Sequence, residues 1–141
     1  MWMIRVSEHT RASAEQVWFL YTDVAGWPRW DSELDACTLS GPFEAGTTGT
    51  LTPKGMTPIP FTLLHVDPFK SFSDETHLPG AVLKFHHTLE ATPEGLKITH
   101  TIHLIGPDYD RYAATIGKSI AAHLPPALKK LAALAEAPVP A

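Results

Sequence analysis

The sequence predicts an α+β fold, a curved antiparallel β-sheet wrapped around one long C-terminal helix. Three observations carry this. Between residues 34 and 105, segments of alternating apolar and polar residues follow one another, joined by turns that each contain Pro or Gly. Hairpins in series, with no helices between them, mean antiparallel pairing and not βαβ units. Near the C-terminus, Ile116, Ile120, Leu124, Leu128, Leu131 and Ala135 recur at helical spacing. Near the N-terminus, Val17, Trp18, Leu20 and Tyr21 share one stripe of a short amphipathic helix.

In chain order, Trp2, Ile4 and Val6 alternate with Met3, Arg5 and Ser7, so residues 2–9 read as a first strand. Ser13 followed by Gln16 fits a capping box, which opens a helix running to about Thr22. Gly26 and Pro28 interrupt the helical pattern, and a short turn or second helix covers 25–30. Residues 34–41 and 47–53 are strands around a Gly41-Pro42 to Gly46 turn, and 54–58 is a loop. Ile59, Phe61, Leu63 and His65 form one face of the next strand. Tight turns at 67–70, 78–80 and 92–95 then separate strands over 71–77, 82–91 and 96–105. Gly106-Pro107-Asp108 opens the last helix. Pro125-Pro126 predicts a kink or break in it, because a proline inside a helix removes a donor and clashes with the preceding turn, at about 3 kcal/mol. The tail over 136–141 is expected to fray.

The 141 residues fit one domain, spanning 1–141. A formal net charge of −4 argues against nucleic acid, which needs a basic stripe. No apolar run approaches the ~18 residues of a membrane span, and the N-terminus does not read as a signal peptide, so a cytoplasmic location is expected. The single Cys37 excludes an intrachain disulfide and a cysteine-based zinc site. Gly46-Thr47-Thr48-Gly49 lacks the lysine and spacing of a phosphate loop, no nucleophile–base pair is visible, and no cofactor is expected.

A family resemblance begins in residues 17–31. A helix ending in Asp23-Val24, followed by Trp27-Pro28-Arg29-Trp30-Asp31, resembles the start of an SRPBCC (START/Bet v1-like) domain of the polyketide cyclase/dehydrase-like branch. Phe85-His86-His87-Thr88-Leu89-Glu90, the Gly95 turn, Ile98-Thr99-His100 and Gly106-Pro107 resemble the last hairpin of such domains and its exit into the long helix. The resemblance covers nearly the whole chain. It implies a helix-grip fold with about seven strands and two small helices after the first strand. It also implies a ligand cavity between sheet and long helix, with the first-helix turn at its mouth. Cyclases on this fold are thought to shape a chain and polarise it with a few polar groups. Some relatives act instead on chaperones or ribosomes.

The sharpest candidate pair is His87 with His100. The 92–95 loop sets 91 opposite 96, which puts 87 opposite 100 on one inner face with Leu83, Phe85, Leu89, Ile98, Ile102 and Leu104. Three readings stay open: a satisfied core pair with one imidazole donating to the other, ligand contact, or general acid/base work. Burial should depress both pKa values below about 6.5. His65 on a neighbouring strand could join the pair as a metal half-site, but zinc wants three or four protein ligands, and no metal is expected. If 77 opposes 82, Asp74 faces inward opposite Phe85; shifted by one, Glu75 does. Trp27, Trp30 and Asp31 look like the mouth, and Tyr109 and Tyr112 could point a hydroxyl inward. His86 and His103 read as solvated.

The expected ligand-binding set is therefore Trp27, Trp30 and Asp74 with the histidine pair, over an apolar row of Phe61, Leu63, Phe85, Ile102, Ile116 and Ile120. The leading function is binding of an apolar or aromatic small molecule, lipid- or polyketide-like. The alternatives are a cyclase/dehydratase-type enzyme using His87 or His100 as acid/base with Asp74 as a further candidate, and a protein-interaction module. A cavity filled by side chains would favour the last.

Overall fold

Strand β1 (Trp2–Thr10) leads through Ser13 into helix α1 (Ala14–Thr22) and a 3₁₀ turn (Val24–Arg29), in a computed structural model that describes residues 1–137. The capping box is present: Ser13 Oγ accepts from the Gln16 backbone N–H and Gln16 Oε1 accepts from the Ser13 N–H. Six strands follow: β2 (Leu34–Leu39), β3 (Thr48–Pro53), β4 (Ile59–Asp67), β5 (Ser71–Leu78), β6 (Ala81–Thr92) and β7 (Gly95–Ile105). The chain ends in α2 (Tyr109–Tyr112), a π-helical turn (Ala113–Gly117) and α3 (Lys118–Glu136).

The seven strands form one antiparallel sheet in the order β1-β7-β6-β5-β4-β3-β2. β1 and β2 are its two edges, so residues 11–33 must cross from edge to edge, and α1 and the 3₁₀ turn lie on that crossing. The tight turns fix the register. Thr92 pairs with Gly95, and the pairing His87↔His100 follows from it. His77 pairs with Val82, which sets Asp74 opposite Phe85. One inner row therefore runs Val6, His100, His87, Phe72, Val66, and the next runs Ile4, Ile102, Phe85, Asp74, Leu63.

One strand departs from strict alternation. The β4–β5 register shifts between Leu63 and His65, so the chain gains a residue there. Such a bulge reverses the facing of everything after it. His65 is exposed and bonds Ser71 at 3.1 Å, so the expected inner face of Ile59, Phe61, Leu63 and His65 ends at Leu63.

The predicted break at Pro125-Pro126 is absent; α3 continues through both prolines. Proline deprives the carbonyl four residues earlier of its donor. Those residues, Ala121 and Ala122, are exposed, so water can take the freed carbonyls. The irregularity sits earlier, in the π-helical turn. There Gly117 lies against the Trp2 indole, where a Cβ would come within 3.2 Å of ring atoms. Of the tail expected to fray, Glu136 is still helical and accepts the Arg11 N–H at 3.0 Å; residues 138–141 lie outside the described residues.

The core has two parts. The larger joins α1, the 3₁₀ turn and the second half of α3 to the sheet, with Tyr21, Phe61, Leu63, Phe72, Leu128 and Leu131 fully enclosed. The smaller gathers Leu83, Ile102 and Leu104 under Trp2, Tyr109 and Tyr112. The site touches both.

Candidate ligand cavity

A cavity of about 540 Å³ opens between the inner face of β5–β7 and the long helix. Its sheet wall is built from alternate residues: Asp74 and Thr76 of β5, Leu83, Phe85 and His87 of β6, His100 and Ile102 of β7. Ile116, Ile120 and Leu124 face them from the helix, and Trp27, Trp30 and Asp31 supply the 3₁₀-turn side. Glu33, Lys54, Met56 and His123 add polar and flexible groups, with His123 Nε2 3.0 Å from Glu33 Oε1 across the rim. Phe61 and Leu63 are not on the wall. They are enclosed in the larger core, where Phe61 packs beneath Trp27 at a centroid distance of 5.9 Å. Tyr109 and Tyr112 are also off the wall, and the Tyr112 hydroxyl donates to the Pro79 carbonyl at 2.7 Å.

Both histidines of the pair are enclosed, with ring centroids 4.5 Å apart and planes at 80°. They do not donate to one another; each has its own partner. His87 Nδ1 donates to the Phe72 carbonyl at 3.1 Å, and its ring stacks on Phe72 at 3.9 Å. A carbonyl can only accept, so this bond places the proton on Nδ1 and leaves a lone pair on Nε2. His100 Nε2 is 2.9 Å from the Tyr21 hydroxyl. Burial lowers the His87 pKa to about 3, against a smaller upward pull from the Phe72 carbonyl. Burial, and then the His87 neighbour, holds His100 well below its usual value. Tyr21, completely buried, off the cavity wall and with its own pKa raised by burial, is the partner of His100 that the sequence reading did not single out. A hydroxyl on an otherwise apolar helical stripe was the signal, since a buried phenol needs a partner.

Asp74 is only 3% exposed, and burial alone pushes its carboxyl up to about 8. It has no hydrogen-bond partner among the described residues. Trp30 Nε1 and Thr76 Oγ1 are the sealed, unpartnered side-chain atoms among the described residues; the Asp74 carboxyl is not sealed, so it opens on the cavity. Asp31 is anchored differently, its Oδ1 accepting the Glu33 N–H at 3.0 Å, and burial raises its pKa as well. Cys37, behind this corner, is pushed up to about 12 by burial and then by Asp74 and Asp31, so it is an inert thiol. No group of three or more His, Cys, Asp or Glu side chains among the described residues is placed to hold a metal ion. No helix among them is long and apolar enough to cross a membrane.

Residues 1–136 match the protein family described as polyketide cyclase / dehydrase and lipid transport. The chain belongs to this family. No curated protein matches it. Among solved structures, the Zhui aromatase/cyclase from Streptomyces sp. R1128 is similar at a TM-score of 0.74 and 13% identity, over 96% of this chain and 93% of that one. The di-domain ARO/CYC protein StfQ of the steffimycin biosynthetic pathway gives 0.75 at 11% identity, over 95% of this chain and 50% of that one. Ara h 8.0201 gives 0.69 at 11% identity, over 95% and 97%. At these identities the likeness establishes the helix-grip fold. Against that fold, this member of the polyketide cyclase/dehydrase family has an apolar cavity whose deep polar groups are one carboxyl and two neutral imidazoles. Such a set can orient a ligand by hydrogen bonds. Two imidazoles held so far below neutrality are weak bases and are not imidazolium acids at pH 7.

Proposed function

We propose that the protein binds an apolar or aromatic small molecule, lipid- or polyketide-like, in the cavity between sheet and long helix. The observation that carries this reading is the open cavity itself. At about 540 Å³ it lies within the usual range for ligand sites, roughly 300–1,000 Å³. A core filled by side chains would have favoured a protein-interaction role instead. Phe85, Ile102, Ile116 and Ile120 supply desolvation; Asp74 and the histidine pair supply orientation. Native mass spectrometry of gently purified protein tests the reading. A bound small molecule is expected on the wild type and not on Ile120→Trp, whose indole would occupy the space. Wild-type protein free of any adduct, or the same adduct on both, would overturn it.

A second reading, a cyclase/dehydratase-type enzyme, is favoured by one observation. Asp74 opens on the cavity with a pKa near 8, which suits proton transfer at working pH better than either histidine does. In that case the acid/base role assigned from sequence to His87 or His100 passes to Asp74. Turnover of polyketide-like substrates that collapses in Asp74→Asn would establish it; turnover unchanged by that substitution would dismiss it.

A further inference from the structure

We propose that the polar end of the ligand is an uncharged hydroxyl, phenolic or alcoholic, held between the Asp74 carboxyl and Nε2 of His87, and that this pair turns carboxylates away. The proposal rests on the ligand-binding reading above and names what that cavity selects.

Placement comes first. Asp74 pairs with Phe85 and Phe72 pairs with His87, so Asp74 and His87 are diagonal neighbours on the same inner face of β5 and β6. Diagonal neighbours on adjacent strands stand about 7–8 Å apart, with their Cβ atoms somewhat closer. One oxygen making two hydrogen bonds of about 2.8 Å fits such a gap.

Donor and acceptor accounting comes second. The His87 Nδ1 proton is committed to the Phe72 carbonyl, so the second nitrogen of this cavity-lining ring carries a lone pair. The Asp74 carboxyl, buried and unpartnered, is held in its protonated form at neutral pH and offers an O–H. A hydroxyl is the small group that answers both: it donates to Nε2 and accepts from Asp74. A ketone answers Asp74 and leaves Nε2 unmet. A carboxylate has no proton for Nε2 and brings a third carboxyl to a wall that already carries Asp31 and Glu33, with Lys54 its one lysine and His123 already beside Glu33. An ammonium has donors for Nε2 but no lone pair for the Asp74 proton.

Calorimetric titration at pH 7 with three probes on one skeleton tests this: 4-phenylphenol, 4-phenylbenzoate and 4-phenylbenzylammonium. The phenol is expected to bind about tenfold tighter than the benzoate, the worth of roughly one good hydrogen bond. Asp74→Leu should weaken the phenol by about tenfold and leave the benzoate no weaker. Asp74→Asn should keep the phenol within about threefold, because the amide still donates; it also serves if the leucine variant folds poorly. A benzoate as tight as the phenol, an ammonium tightest of the three, or a phenol indifferent to Asp74→Leu would each overturn the proposal. Binding of none of the three, on protein that still carries a native adduct, would overturn the hydroxyl subsite and leave the cavity reading standing. Binding of none, on adduct-free protein, would remove both.

Discussion

At the scale of single residues, the buried ionisable groups make opposite demands on pH. Asp74 has a folded pKa raised by burial to about 8, so the native state holds its proton more tightly than the unfolded chain. Stability from this group is fully present below the unfolded value near 3.9 and is lost as pH rises through 8. His87, lowered to about 3, and His100, also lowered, behave in reverse. Their stability is present above the unfolded value near 6.5 and is lost as pH falls toward the folded values. Between about pH 4 and 6.5 two protons are taken up by the unfolded histidines against one held by native Asp74, so stability rises with pH. Between about 6.5 and 8 only Asp74 counts, and stability falls. Urea unfolding across pH 4.5–8.5 should therefore show these groups' combined maximum near pH 6.5. Asp74→Leu should flatten the upper limb and add on the order of 2 kcal/mol at pH 8, since it removes an unpaired buried polar group. His87→Phe should flatten the lower limb. His100 keeps Tyr21 as its partner in that variant, although the Phe72 carbonyl loses its donor. Profiles of both variants parallel to wild type would mean that the cavity hydrates all three groups.

The elements were legible where one local rule acts. The Ser13/Gln16 box starts α1, and the loop at 92–95 sets the His87↔His100 register, because both depend on a few adjacent residues. The bulge that turns His65 outward had no such marker: Leu63, Leu64 and His65 contain neither Gly nor Pro, and the shift satisfies pairing with β5, which is not local. The prolines failed for the opposite reason. The local rule was right about the missing donor, but no break follows from it, because exposed Ala121 and Ala122 let solvent replace the bond while the far side of the helix stays packed through Ala127, Leu128 and Leu131. The cost is then still present, stored in a continuous helix. Pro126 is exposed and loses little packing on truncation. Pro126→Ala, which restores one backbone bond, is expected to stabilise the fold by about 1–2 kcal/mol, less than the full ~3 kcal/mol of an interior proline because the unfolded chain also gains freedom. A denaturant midpoint unchanged or lowered in that variant would show that α3 is bent there and carries no such strain.

At the scale of the whole molecule, the sheet and its long helix could be read from periodicity, but the cavity between them was implied by the family resemblance alone. Phe61, Leu63, Phe85 and Ile120 look alike in sequence as inward apolar residues, yet two are core and two face the cavity. The difference arises where the 3₁₀ turn and second half of α3 close fully on the sheet and the π-helical turn and first half of α3 pack on it only in part. A space of this kind leaves its lining atoms without the protein neighbours that a packed core would give them. It also disappears when the chain unfolds, so it should dominate the volume change of unfolding, whose magnitude scales with the internal void eliminated. Ligand and cavity-filling substitution ought then to act alike. Pressure denaturation followed by the NMR signals of Ile102 and Leu128 should give a large negative unfolding volume for the empty wild type. The magnitude should shrink on saturation with a tight probe and in Ile120→Trp, while temperature stability is kept or raised. If the unfolding volume is the same in all three, the space between sheet and helix closes in solution, and the site must be sought in a conformation that opens only around its ligand.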